Sequence, residues 1–329
     1  MKRIIAIVAG GDSSEHDISL RSAQGIYSFM NKDLYDCYIV EVQGTHWIAN
    51  LPEGNKVPVD RNDFSFQSKA GRIKPDFVYI TIHSTPGENG IIQGYFDLIK
   101  MPYSTSSVLV EALTFDKYFL NQFLKNFGVR VAESILLRKG DEDKFGDDEI
   151  IGRLGLPCFI KPAADGSSFG VTKVKTREQI RPAIKEAMKD GKEAMIESFL
   201  QGTEITCGCY KTKDLSRVFP ITEVVTSEEF FDYDAKYNGK VQEITPARIA
   251  PETAERVKAE TSRIYDLLNC NGIIRIDYIL SGEKGKEDIN LLEINTTPGM
   301  TATSFIPQQV KAAGLEMADV LSNIIENKF

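Results

Sequence analysis

With 329 residues, 42% of them hydrophobic, the chain is long enough for two or three packed domains. A formal charge of −8 and an isoelectric point near 5.2 exclude a general nucleic-acid or anionic-membrane binder, which needs clustered Lys and Arg, so any anion site is local. No apolar run approaches the ~18–20 residues of a membrane span, and five sparse cysteines without a C-x-x-C unit fit a reducing, cytoplasmic setting better than a disulfide framework.

The opening "MKRIIAIVAGGDSSEHD" reads as a first strand entering a loop rather than a leader, because polar residues follow the apolar run at once and no small-residue cleavage pattern appears. "RIIAIVAG", a helix through "DISLRSAQGIYSFM", "YDCYIVEV", "DFVYITIH" and a helix through "GIIQGYFDLIK" alternate strand and helix, which predicts a parallel sheet covered by helices, with ligand groups on loops after the strand ends. Residues 50–72 read as a polar excursion within this first unit, 1–105. A second unit, 106–200, holds helices "SSVLVEAL" and "DKYFLNQFLKNFG", short strands "AESILLR", "PCFIKPA" and "VTKVK", a helix from Thr176 to about Asp190 and the strand "EAMIESFL". A third, 201–329, holds "TEITCGCYK" and "RVFPITEVV", a polar-aromatic loop "TSEEFFDYDAKYNGK", a helix over 252–268, two facing strands and two terminal helices that close the unit. Cys207 and Cys209 share one strand face and read as small buried residues rather than a metal site.

The facing strands "IIRIDYIL" and "INLLEIN" flank "SGEKGKED", a hairpin connector. With Gly285 as its midpoint, Asp277 and Glu293 lie eight residues to either side, and Arg275 and Asn295 ten. Period-2 alternation then puts all four on one face and pairs them across the strands. The same alternation puts Leu292 and Ile294 on one side of the second strand and Leu291, Glu293 and Asn295 on the other. Carboxylate and amide oxygens gathered on rigid strands suit a hard cation such as Mg²⁺, whereas Arg275 suits a phosphate or carboxylate oxygen. The following "TTPG" turn can present the Gly299 N–H to a reacting oxyanion. "PCFIKPAADGSSFGVTKV" is strand, Gly/Ser loop, strand: its N–H groups and hydroxyls can wrap a polyphosphate, with Lys161 at the end of the preceding strand. No G-x-x-x-x-G-K-[ST] or G-x-G-x-x-G occurs, so this is neither a P-loop nor a dinucleotide fingerprint.

"GGDSSEHDISL", "TFDK", "FIKPAADGSSFG", "FDYDAKY", "RIDY" and "LLEINTTPGMTATS", in that order from residue 10 to residue 304, resemble the D-alanine:D-alanine ligases of the ATP-grasp superfamily. The resemblance implies an α/β and α+β architecture: a Rossmann-like N-terminal domain followed by two α+β domains that clasp ATP. Lys117 and Lys161 would contact the phosphates, the loop with Ser168 would close over them, and Glu197, Leu200, Glu204, Phe230 and Lys236 would line the nucleotide pocket. Asp277, Glu293 and Asn295 would hold two Mg²⁺ or Mn²⁺ ions. Glu15 would pair with the ammonium of a first D-alanine, and Arg275 and the Gly299 N–H would stabilise the tetrahedral oxyanion. Ser167 and Tyr237 would orient and deprotonate the second substrate, and Ser304 would take its carboxylate. His83, in "IHSTPGENG", matches a substrate-side histidine, although the family's usual His-Gly and Glu-Asp-Gly are here His83-Ser84 and Glu88-Asn89. Tyr237 implies an amine as second substrate, hence D-alanyl-D-alanine for peptidoglycan precursors rather than the D-lactate ester. The resemblance also implies a homodimer through the first domain, and "TSEEFFDYDAKYNGK" reads as a lid. The competing reading, a regulatory protein that only binds nucleotide, leaves Glu15, Ser167, Arg275 and Ser304 without a purpose.

Overall fold

The computed structural model describes residues 2–164, 166, 170–189, 192–226 and 241–329. Its first part runs β1 (Arg3–Gly10), α1 (His16–Phe29), β2 (Tyr35–Gln43), β3 (His46–Asn50), β4 (Lys56–Asp60), β5 (Ser65–Ser68), β6 (Gly71–Ile73), β7 (Phe77–Ile80) and α2 (Ile91–Leu98). These strands form one sheet in the order β6-β5-β4-β3-β2-β1-β7. Only β2, β1 and β7 are parallel. The other pairings are antiparallel, so the expected all-parallel sheet is in fact mixed. The supposed polar excursion is β4 to β6. Each is three to five residues long and buries little beyond Val59, Ser65 and Phe66, too few apolar positions for a period-2 signal to emerge.

The second part holds α3 (Val108–Phe115), α4 (Lys117–Lys125), β8 (Arg130–Val131), β9 (Ser134–Leu137), α5 (Asp147–Leu154), β10 (Cys158–Pro162), β11 (Thr172–Val174), α6 (Ile180–Ala187) and β12 (Ala194–Ser198). An antiparallel sheet forms in the order β11-β10-β12-β9. Thr176 opens the approach to α6 through a reciprocal capping box with Gln179. Sequence reading missed α5: it buries only Ile150 and Leu154, and its first turn is all acidic. The third part holds β13 (Thr203–Lys211), β14 (Ser216–Val218), β15 (Thr222–Thr226), β16 (Val241–Ile244), α7 (Pro251–Leu268), β17 (Ile274–Ser281), β18 (Asp288–Asn295), α8 (Phe305–Ala312) and α9 (Met317–Glu326). Its order is β16-β15-β13-β17-β18-β8, with β14 on β13. "RVFPITEVV", expected as one strand, is two, because Pro220 between them has no N–H for the ladder.

Packing redistributes these parts. Val110, Leu120, Leu124 and Val129 share a core with Ile205, Ile276 and Leu291, so residues 108–131 pack on the third sheet, while the central sheet has its own core around Ile135, Ile160 and Ile184. The terminal helices do not simply close the third unit. Val310, Leu321 and Ile324 bury against Ile5, Ile7 and Ile26 of the first sheet and α1. Its other face packs on Ile92 and Phe96 of α2. Cys207 and Cys209 are buried on one face of β13 as expected, and all five cysteines are unbridged. No helix among the described residues is long and apolar enough to cross a membrane.

One close approach brings α1 to the turn after β18: a Cβ on Gly25 would lie 2.2 Å from the Met300 carbonyl oxygen. Gly25→Ala therefore has to push helix and turn apart. An overpacked contact of this kind costs about 1–3 kcal/mol, and we expect a lower denaturant midpoint; an unchanged midpoint would contradict this.

Candidate active site

β17 and β18 pair Arg275 with Asn295 and Asp277 with Glu293, the register expected from the sequence. The route to it is different. From Ser281↔Asp288 to Tyr278↔Leu291 the hairpin is in a register that would set Asp277 opposite Leu292; an irregularity between Asp277 and Tyr278 skips Leu292 and delivers Glu293 instead. It also overturns the expected alternation, because Leu291 now joins Ile294 in the apolar core and Leu292 does not.

Asp277 is the hub of this face. Arg275 grips it in a fork, Nε to Oδ1 at 2.9 Å and Nη2 to Oδ2 at 2.8 Å. The Thr206 hydroxyl donates to Oδ1 at 2.5 Å and the Asn295 amide to Oδ2 at 3.1 Å. These four donors match the lone-pair capacity of a carboxylate. Burial alone would weaken the Arg275 charge, but Asp277, with Glu293 and Glu88 behind it, raises its pKa and keeps the guanidinium charged. Lys117, first residue of α4, reaches 4.0 Å from Glu293; Asp116 caps that helix by accepting from the Phe119 N–H at 3.0 Å.

Beyond β18 the chain turns through Thr296 and Thr297, both buried. The Thr297 hydroxyl donates to the Ile82 carbonyl at 3.0 Å, fastening the turn to the loop after β7. Ser304 occupies the N-cap position of α8, yet its side chain makes no capping bond; its Oγ instead accepts from the Thr301 N–H at 3.1 Å and lies 2.8 Å from the Thr301 hydroxyl. Glu15 likewise stands at the N-cap position of α1 without a side-chain cap bond. In the loop after β7, His83 is buried with Nε2 at 3.2 Å from the Ser22 hydroxyl. Its pKa is lowered by burial, which outweighs the charge of Glu15, so the imidazole is neutral at pH 7. Glu88 accepts from the Ser84 N–H at 2.6 Å, and burial, with the nearby charge of Glu15, pushes its carboxyl up to about 7.

A cavity of about 430 Å³ is lined by Glu15, His83, Lys117, Arg275, Glu293, Asn295, Gly299 and Ser304. Gly166 of the Gly/Ser loop also lines it, and a Cβ there would meet Glu15 Oε2 at 2.4 Å. Asp277 lies behind Arg275 rather than on the wall. Lys161 and Glu197 sit apart on the central sheet as a buried ion pair, Nζ to Oε1 2.5 Å. Leu200 lies in the crossing from β12 to β13, and Glu204 is the second residue of β13. Ser167, Ser168, Phe230, Lys236, Tyr237 and the expected lid lie outside the described residues. Sequence reasoning missed Glu88 and Arg21, which also line the cavity; the "GENG" stretch held the only signal for the first.

Three sheets around a cleft that joins a carboxylate hairpin to a glycine-containing turn define an ATP-grasp ligase fold, shared with solved structures of that class. The D-Ala:D-Ser ligase VanG of Enterococcus faecalis superposes with a TM-score of 0.87 at 29% identity over 100% of both chains. A Bacillus anthracis D-alanine–D-alanine ligase solved with ATP gives 0.77 at 25% identity, covering 99% of this chain and 97% of the other. In sequence, residues 4–106 match the model of the D-ala D-ala ligase N-terminus and residues 123–326 that of the C-terminus. The D-alanine–D-alanine ligase of Phocaeicola vulgatus is 66% identical over the full length of both chains. The chain belongs to the D-alanine–D-alanine ligase family.

The Glu88 carboxyl yields a pH prediction. Because its folded pKa of about 7 exceeds the ordinary 4.5, its contribution to stability is complete below pH 4.5 and is lost as pH rises through 7. Between pH 5 and pH 8 the denaturant midpoint of the wild type should fall further than that of Glu88→Gln, measured without ligands. Equal shifts would contradict the assignment.

Proposed function

We propose that the protein joins two D-alanines into D-alanyl-D-alanine at the expense of ATP, through a D-alanyl phosphate, as a step in peptidoglycan precursor synthesis. The observation that carries this reading is the single cavity in which Glu15, Lys117, Arg275, Gly299 and Ser304 converge, in a chain with full-length identity of 66% to a D-alanine–D-alanine ligase. In the first step a carboxylate oxygen of one D-alanine forms a bond to the γ-phosphorus and ADP leaves. In the second the amine of another D-alanine bonds to the acyl carbon, phosphate leaves and the amine gives up its proton. Catalysis is mostly positioning and charge neutralisation.

Glu15 holds the ammonium of the first D-alanine, and Lys117 and Lys161 take the phosphate charge. Arg275 and the Gly299 N–H face the oxyanion, and Ser304 receives the carboxylate of the second substrate. His83, neutral and seated on Ser22, shapes the first-substrate side. Ser167 and Tyr237 orient the incoming amine; Ser168, Glu197, Leu200, Glu204, Phe230 and Lys236 hold the nucleotide. The donor chemistry of Asp277, Glu293 and Asn295, two carboxylates and a carboxamide paired across rigid strands, fits Mg²⁺ or Mn²⁺. Two such ions bound there would neutralise phosphate charge. Supports for a homodimer are Ile91 and Leu98, seven residues apart on α2, and Leu109 on α3, which are 63%, 84% and 75% exposed. ATP use and five unbridged cysteines fit the cytoplasm.

ADP release with D-alanine alone tests the substrate assignment. We expect full turnover without D-lactate; stimulation only by D-lactate would favour the depsipeptide ligase, and stimulation only by L-amino acids would defeat both. Arg275→Ala should keep nucleotide affinity within severalfold and cut turnover by about two orders of magnitude, the usual effect of removing an oxyanion donor; unchanged turnover removes Arg275 from the mechanism. Leu98→Glu should shift the protein to monomer in sedimentation velocity, whereas an unaltered dimer would place the interface elsewhere.

A further inference from the structure

Glu111 is wholly buried in α3, outside every motif that identifies the family. A carboxylate there is expensive unless hydrogen-bonded. It has two donors from distant segments: the Thr296 hydroxyl at 2.5 Å on Oε2, from 185 residues along the chain, and the Ser106 N–H at 2.9 Å on Oε1. Ser106 in turn accepts from the Asn271 N–H at 3.0 Å through its hydroxyl, just before β17. Glu111 therefore ties the exit of β18 to the approach of β17, the two ends of the carboxylate hairpin. On the other side Thr297 is fastened to the Ile82 carbonyl. The two neighbouring hydroxyls are thus pulled to different elements, one to α3 and one to the loop after β7, and Gly299 stands two residues beyond the second of them.

We propose that Glu111 is a positioning residue for the ligation reaction: through the Thr296 hydroxyl it fixes the turn that presents the Gly299 N–H to the oxyanion. This rests on the ligase reading and on the role given there to Gly299. Glu111 touches no substrate. Its effect is on the placement of a donor, where small displacements are costly to rate and cheap to nucleotide binding.

Turnover of the wild type with D-alanine and ATP is measured first; its absence defeats the ligase reading itself. Given turnover, Thr296→Val should lower kcat about tenfold, the scale of one lost buried hydrogen bond, with the KM for ATP within about twofold, and Thr296→Ser, which keeps the hydroxyl, should restore it. Glu111→Ala should lower kcat to a similar degree, and the double variant Glu111→Ala/Thr296→Val should be no slower than the slower single one, because both remove the same bond. Equal kcat for Val, Ser and Thr at position 296 overturns the proposal. So do losses that multiply in the double variant, or a fall in kcat matched by an equal loss of ATP affinity. If Glu111→Ala does not fold, the Val and Ser variants at 296 decide alone.

Discussion

The buried face of the β17–β18 hairpin is the constraint around which the rest is arranged. Asp277 is 7% exposed and carries four donors, so its negative charge is matched in place by Arg275, Thr206 and Asn295. A carboxylate this buried is tolerated only when its hydrogen bonds are complete and an opposite charge is at hand. The consequence is a rigid platform on which Arg275 stays charged and Glu293 faces Lys117. A hard cation held by Asp277 would have to compete with the guanidinium for the same oxygens, so any such ion would lie beside Arg275.

Three separate pieces of chain meet the turn after β18 at the cavity, and each is held there by an interaction foreign to its own element. Helix α1 approaches the turn after β18 closely only because Gly25 lacks a side chain. The loop after β7 reaches the same turn through Thr297, and α3 reaches it through Thr296. Small residues and hydroxyls, rather than apolar contacts, thus set the geometry at the centre, while apolar clusters fix the surrounding layers. That division suits a site that has to place polar groups without filling the space between them.

The pairing of opposite charges also varies with depth. Lys161 and Glu197 are buried together on the central sheet, where removing either would strand the other. Arg3 and Glu326, joining the C-terminal helix to the first strand, are exposed and contribute little to stability. The apolar contacts of α8 and α9 with the first sheet therefore carry that junction.

What the sequence determined by itself was chemical: the residue types of the hairpin, their spacing about Gly285, the order of six motifs and hence the ligase family. Such patterns are written within eight or ten residues, where local periodicity suffices. Short polar strands such as β4 to β6 and the brief helix α5 escaped because too few of their residues are buried to leave a period. Only the tertiary structure decided the rest. The bulge at Leu292 supplied the pairing of Asp277 with Glu293, α3 and α4 chose the third sheet, and the terminal helices chose the first. The burial of Glu111 and the place of Glu88 belong to the same set, because each depends on partners tens to hundreds of residues away. Those partners are selected by how whole surfaces pack, which no local window of sequence contains.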